Sequence, residues 1–299
     1  MTPLDEKPLS GPVFMAAGED GVRACSQDGR TWTHRQTGKE GETFIAAAFG
    51  LGCCALFGRY GGDNHFAMTR DGLVWQQAKQ DAQYAFYVRG AMFFEKRFLG
   101  YGGESAGQGK MFVIVSTDGA KWDPPQKVPG KHLLRRFAQG NGLLVAVGDY
   151  GRRSVSRDGI EWKDVANYKP VDSLIDVAFG NGQFVGGGLH GLRMRSADGL
   201  TWTDRTPGEE GEHINAMIWD GKQFVGVGQG ATYISPDGVK WQRTPNQHAP
   251  TAATWGNGAY VGSLWPGRLL HSTDGIQWVE TTRLPQHVEA LAYGTLQTG

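Results

Sequence analysis

The apolar residues of this chain fall into short β-type runs separated by glycine-rich polar turns. The clearest case is Ile175-Asp176-Val177-Ala178-Phe179-Gly180-Asn181-Gly182-Gln183-Phe184-Val185-Gly186-Gly187-Gly188, where two runs flank Gly-Asn-Gly. Such a pair, joined by that turn chemistry, predicts an antiparallel hairpin. Related stretches lie at 44–58, 134–148, 214–228 and 250–263, and 87–102 is a degenerate copy with Phe94-Glu95-Lys96 at its turn. Behind each comes a short polar loop, a third run and the motif Ser/Thr-x-Asp-Gly-x-x-Trp. The motif occurs seven times, at 26–32, 69–75, 116–122, 156–162, 196–202, 235–241 and 272–278, in steps of 37 to 47 residues. A fixed period of about 40 residues marks a repeat architecture.

Asp-Gly supplies the central pair of a type I′ hairpin turn, which needs positive φ at both residues. The Asp carboxylate and the Ser or Thr hydroxyl are expected to accept backbone N–H groups across it. The Trp opens the returning strand with a large apolar face that a neighbouring unit must cover. Each unit is then four antiparallel strands, A to D. The chain reads as all-β, a seven-bladed β-propeller of four-stranded antiparallel blades in a single domain spanning 1–299. Its ends agree. Pro12–Gly18 matches a strand B with no strand A before it, and His287–Gly294 is a strand A with no blade after it. The C-terminal strand should complete the N-terminal blade and close the ring, removing the free edge. The blades are about 12–35 plus 287–294, 43–78, 85–125, 132–165, 172–205, 212–244 and 248–281. Gly102–Lys110 departs from the repeat and is expected to be a flexible loop.

Composition narrows the partners. Lys+Arg and Asp+Glu are 30 each, so the net charge is zero, which argues against general nucleic-acid or membrane-surface binding. No apolar run is long enough to span a bilayer. Met1–Lys7 has no apolar signal core. The location is cytoplasmic, or periplasmic or secreted if a signal peptide was removed. The chain reads as a monomer. Cys25, Cys53 and Cys54 form neither a disulfide framework nor a metal spacing and read as small buried apolar side chains. Their place near the turn-bearing face leaves open a disulfide between Cys25 and Cys53 or Cys54. No cofactor is called for: Gly186-Gly187-Gly188 ends a strand and precedes no helix. No metal site is expected, because no His-x-His pair occurs.

The seven-fold repeat resembles the Asp-box, or BNR, repeat of sialidase-like propellers over nearly the whole chain. The general pattern is Ser/Thr-x-Asp-x-Gly-x-x-Trp; here the residue between Asp and Gly is missing from every copy. The shorter form is similar to a broad class of bacterial BNR-like propellers, to photosystem II assembly factors and to Vps10-type receptors. The resemblance implies the fold, and ligands held at the mouth of the central channel, on the face away from the Asp-Gly turns. One propeller hosts many functions. A sialidase would need three arginines on the substrate carboxylate, a Tyr–Glu nucleophile pair, an Asp acid/base and an Arg-Ile-Pro signature. No Arg-Ile-Pro occurs, which argues against a true sialidase.

Seven near-identical turns carry little specificity, so chemistry is sought where the repeat is broken. Aligned on their turns, the seven strands A give the column Ile45, Arg89, Arg135, Ile175, Asn215, Thr251 and Glu289, with Arg136 and Asp176 one step further on. Two residues upstream stand His213 and His287. The B–C loops add Arg59, Tyr60, Tyr150 and Trp265 among others. Arginine forks suit carboxylates and aromatic faces suit sugar rings. Arg89, Arg135 and Arg136 are expected to clamp an anion, with Asp176 and Asn215 beside them and Tyr60 and Trp265 as stacking platforms. His213, His287, Glu289 and Tyr150 are the candidates for acid–base work. The implied ligand is an acidic glycan or another carboxylate. A protein partner on the same face, and a polysaccharide lyase or glycoside hydrolase, are the alternatives. The same residues are also what a wet propeller mouth needs, with Arg136 and Asp176 on adjacent blades satisfying one another.

Overall fold

The computed structural model describes residues 6–80, 86–104, 110–166 and 168–298. Residues 105–109 of the expected flexible loop lie outside them. The strands assemble into seven four-stranded antiparallel blades around one axis, lettered A to D from the axis outward. Blade 1 places the C-terminal strand Val288–Leu296 as its A, against Gly11–Gly18, Arg23–Ser26 and Thr33–Gln36. The closing pair runs in register from Gly11↔Leu296 to Gly18↔Val288, and Val288, Ala290 and Leu296 are buried by it. Blades 2, 4, 5 and 7 begin at Thr43–Gly50, Leu134–Gly140, Leu174–Gly180 and Ala252–Gly256 and run A to D in chain order. In blade 6 the run Phe224–Ser235 pairs with His213–Trp219 through its first half and with Gln242–Asn246 through its second. It folds back at Gly230 (φ 85°) and so supplies both B and C.

Burial follows the radius. Strands B are covered on both faces by neighbouring blades, so Cys53–Gly58 and Gln183–Gly188 are buried throughout. Such strands need continuous apolar or small residues rather than alternation. Strands D face water, as in Thr203-Asp204-Arg205. Blade 3 breaks the pattern. Lys121–Trp122 leaves it to pair in parallel with Lys79–Gln80 of blade 2, and Gln126–Val128 takes the outer place. Pro124-Pro125 lies between these segments; proline cannot donate to a ladder, which explains the break.

The turns correct one expectation. The Asp-Gly turns are not type I′, because only their glycines have positive φ, 70 to 77°. The hydroxyl of Ser196 accepts the N–H of Gly199 at 2.8 Å, and Asp198 Oδ1 accepts those of Leu200 and Thr201 at 2.9 and 2.7 Å. These bonds fold the chain around the carboxylate and leave Asp in an ordinary conformation. Paired positive φ values occur instead at the A–B turns Leu51-Gly52, Asn141-Gly142, Asn181-Gly182 and Asn257-Gly258, at Glu95-Lys96, which has no glycine, and at B–C turns such as Asp20-Gly21 and His190-Gly191.

The motif tryptophans acquire an unforeseen partner. Arg23, Arg153 and Arg193, at the start of strand C, lay their guanidinium groups over Trp75, Trp202 and Trp241 of the next blade, 5.0 to 5.5 Å from the ring centre. These are cation–π contacts across the blade interface. All three cysteines are free and buried, so the disulfide left open above does not form.

Candidate functional site

The polar column at the start of strand A is a ring of β-bulges. Register between strands A and B skips Ile45, Arg89, Arg135, Ile175, Asn215 and Glu289 in six blades. In blade 7 Thr251 and Ala252 both face Ser263, Thr251 through its N–H at 2.9 Å. A bulged residue drops out of the ladder and its side chain is re-aimed. The glycines that end strand B permit this. A Cβ on Gly18, Gly58, Gly102, Gly148, Gly188 or Gly228 would overlap the carbonyl oxygen of His287, Thr43, Tyr87, Leu133, Ser173 or His213, the residue two before the bulge.

Inside this ring the axis opens into a cavity of about 200 Å³ walled by strand A of every blade. Its sides are made of small residues, among them Ala46, Ala91, Ala216 and Ala253. Of the bulge residues, Ile45, Asn215, Thr251 and Glu289 line it, and Arg136 and Asp176 reach in from the next position. Tyr101 also reaches the cavity from strand B, because Gly90 in front of it has no side chain to block the ring. It stacks on Phe137 with centroids 3.7 Å apart, and burial pushes its hydroxyl up to about 12. Sequence reading missed Tyr101; Gly90 in an otherwise side-chain-bearing wall was the available signal. A larger groove of about 530 Å³ lies between blades 4 and 5 on the Asp-Gly-turn side, with Trp162 and Leu200 in its walls. It gathers none of the residues that break the repeat.

The arginines divide. Arg135 is held by Asp149 of its own B–C loop, through Oδ1 and, at 2.9 Å, through Oδ2. Arg136 turns into the cavity toward Tyr101 and Asp176. The Asp176 carboxylate accepts the N–H of Val177 at 2.9 Å and of Met217, on the next blade, at 2.8 Å. Burial nonetheless pushes its carboxyl above the usual range, against the pull of Arg136. Arg89 has no ion pair and no side-chain hydrogen bond among the described residues, and its Nε is buried. Burial lowers its pKa, the charges of Arg135 and Arg59 lower it further, and the Asp149 carboxylate opposes them in part. Arg59 stands over the ring of Tyr87 at 5.0 Å. The cationic group at the mouth is therefore Arg59, Arg89 and Arg135, with Arg136 below it.

The acid–base candidates are not gathered at one point. Glu289 lines the cavity; water reaches it, yet burial pushes its carboxyl up, opposed by His287 and Arg59 and reinforced by Glu19. His287 has its Nδ1 buried without a partner. His213 Nδ1 accepts the backbone N–H of His190 at 3.3 Å. Tyr150, at φ 54°, stacks on His132 of blade 4 with centroids 4.5 Å apart. Tyr60, Tyr150 and Trp265 are exposed, on B–C loops of blades 2, 4 and 7, and none lines the cavity. No His/Cys/Asp/Glu group among the described residues is arranged to hold a metal ion, and no helix among them is long and apolar enough to cross a membrane.

No protein-family model matches the chain, and no curated protein matches it. Solved structures do. The periplasmic gluconolactonase of Pseudomonas aeruginosa aligns with a TM-score of 0.72 at 9% identity, covering 96% of this chain and 100% of that one. YCF48 bound to D1 peptide aligns at 0.62 and 15% identity, covering 87% and 93%. Virginiamycin B lyase from Staphylococcus aureus aligns at 0.61 and 10%, covering 81% and 84%. At these identities the likeness is one of fold. The three neighbours differ from one another in function, as a shared propeller allows.

Proposed function

We propose that this protein is a binding propeller that holds a carboxylate at the mouth of its central channel. One observation carries the reading. Arg89 is a half-buried guanidinium with no ion pair and no side-chain hydrogen bond among the described residues; Arg59 and Arg135 flank it, and the one acid whose charge offsets theirs there, Asp149, is already bonded to Arg135. A cation withdrawn from water without a partner is costly, and an anionic ligand relieves that cost. The narrow polar mouth suits a single carboxylated ring or a chain end, and an acidic saccharide is the ligand class we favour. The repeat supports a place among BNR-type, sialidase-like propellers. Binding is favoured over lyase or hydrolase chemistry because Glu289 alone of His213, His287, Glu289 and Tyr150 lines the cavity.

A second reading has its own support. Tyr60, Tyr150, Leu189 and Trp265 are exposed on the loops of this same face, and the similar YCF48 is described with a bound peptide. An acidic protein segment would meet both the arginines and these apolar side chains.

Calorimetry of wild type and Arg89→Gln against oligogalacturonate, a neutral oligosaccharide and an acidic peptide tests both. Loss of one charge-assisted contact should weaken the acidic ligand by ~10- to 150-fold. Equal binding of neutral and acidic sugars, or an unchanged affinity in the variant, refutes the carboxylate reading.

A further inference from the structure

Taken around the axis, the seven bulge residues are not a uniformly cationic ring. Blades 3 and 4 present Arg89 and Arg135, while blades 6, 7 and 1 present Asn215, Thr251 and Glu289. The two arcs are separated on both sides by isoleucine, Ile45 on blade 2 and Ile175 on blade 5. Every member of the second arc carries an acceptor oxygen. Thr251 donates its hydroxyl proton to the carbonyl of Ser263 at 3.1 Å, which leaves its lone pairs free. The side chains of Asn215 and Glu289 make no hydrogen bond or ion pair among the described residues, and both line the cavity. A carboxylate and a guanidinium, each without an ion pair among the described residues, thus share one mouth; His287 and Arg59 offset the Glu289 charge only from a distance, against Glu19.

We infer that the ligand is zwitterionic, carrying an ammonium or comparable donor that meets Glu289 and its arc while its carboxylate meets Arg89. This rests on the carboxylate reading above and sharpens it. A simple anion would leave Glu289 unpaired and bring its own charge close to a second carboxylate, a repulsion that discriminates against it. A ligand with both charges satisfies the two arcs together. Amino acids, peptide ends and acidic amino sugars share that chemistry.

The test is calorimetry at pH 7 with glucuronate, glucosamine, glycylglycine and muramic acid, on wild type, Arg89→Gln and Glu289→Gln. A zwitterion should bind wild type at least ~10-fold more tightly than glucuronate or glucosamine does. Which zwitterion binds tells a peptide end from an amino sugar. Arg89→Gln should weaken zwitterions and glucuronate alike. Glu289→Gln should remove the advantage of the zwitterion and leave glucuronate unchanged or tighter. If Glu289→Gln unfolds, Asn215→Ala carries the test, with a several-fold loss for zwitterions and none for glucuronate. Glucuronate binding as tightly as both zwitterions, or Glu289→Gln affecting all probes equally or none, overturns the inference while the carboxylate reading stands. Unchanged affinities in Arg89→Gln overturn the carboxylate reading and this one with it, as does the failure of wild type to bind any probe.

Discussion

Gly228→Ala tests the bulge ring directly. The new Cβ would lie over an ångström inside the 3.0 Å that real Cβ atoms keep, and the atom it meets is the His213 backbone carbonyl oxygen, which cannot swing away. Strand A must therefore part from strand B at that end, disturbing the pairs Ile214↔Gly228 and His213↔Gln229. Loosening about two ladder hydrogen bonds at ~1 kcal/mol each, with overpacking strain of ~1–3 kcal/mol, gives a destabilisation of ~3–5 kcal/mol. For a chain of 299 residues the unfolding entropy is about 0.6 kcal/mol/K, so Tm should fall by roughly 5–8 °C. Gly182→Ala is the control. It sits in an exposed A–B turn at φ 74° with nothing near its missing Cβ, and only the left-handed conformation penalises it, by ~1–2 kcal/mol. Differential scanning calorimetry of the two variants decides. If Gly228→Ala melts no lower than Gly182→Ala, the bulge does not depend on glycine and the account of the mouth is wrong.

Removing 286–299 takes away the inner strand of blade 1 with its buried Val288, Ala290 and Leu296. The loss of its one pairing, with Gly11–Gly18, and of that burial should take away much of a typical net stability of ~5–15 kcal/mol; soluble protein with an unchanged Tm would refute ring closure. Asp198→Ala should cost ~1–2 kcal/mol in thermal unfolding and leave ligand affinity intact in the folded fraction; a lost affinity at unchanged Tm would put function on the Asp-Gly-turn face. Hydrogen bonds hold the carboxyls of Asp118, Asp158, Asp198, Asp237 and Asp274 below their usual value and that of Asp28 at about 2. Their stabilisation is complete above the ordinary aspartate range and is lost as pH falls through each lowered value, which for Asp28 is about 2, so acid unfolding of Asp28→Asn should be less steep than that of wild type. Glu289 has the opposite sign, since its carboxyl is raised. Ionising it costs the fold stability as pH rises through that value, so Glu289→Gln should be the more stable at pH 7 and lose its advantage below the ordinary glutamate range, as urea titrations at both pH values would show.

Much of the architecture was legible because a repeat states each strand seven times, and because a strand B without an A at one end answers an A without a blade at the other. The ring of polar bulges was visible as a column, but not as bulges. Five of the six hairpin stretches ended at the decisive residue, Gly58, Gly102, Gly148, Gly188 or Gly228, yet a terminal glycine looks the same whether it stops a strand or makes room for a carbonyl. The type I′ assignment failed because Asp-Gly suits two turns, and the Ser hydroxyl that chooses between them acts only once its hydrogen bond to glycine forms. The arginine clamp was read from spacing, which cannot reveal that Asp149, fourteen residues on, would engage Arg135, or that Arg59 would come nearer to Arg89 than the neighbouring column implied.

The bulge ring also bears on how such a molecule changes over generations. A residue left out of the ladder contributes little to folding, so its identity is nearly free of the constraints that hold the alanines and valines beside it. Six such positions, with Thr251 in the seventh blade, surround the axis, and four of the seven line one small cavity. On the function proposed here they would serve as a seven-letter address written on a fixed frame: one substitution would alter what the mouth accepts, while the frame persists as long as its glycines do. Descendants of one ancestral chain can therefore diverge in ligand while remaining superimposable, and surveying these seven positions would sort them by ligand more sharply than whole-chain similarity.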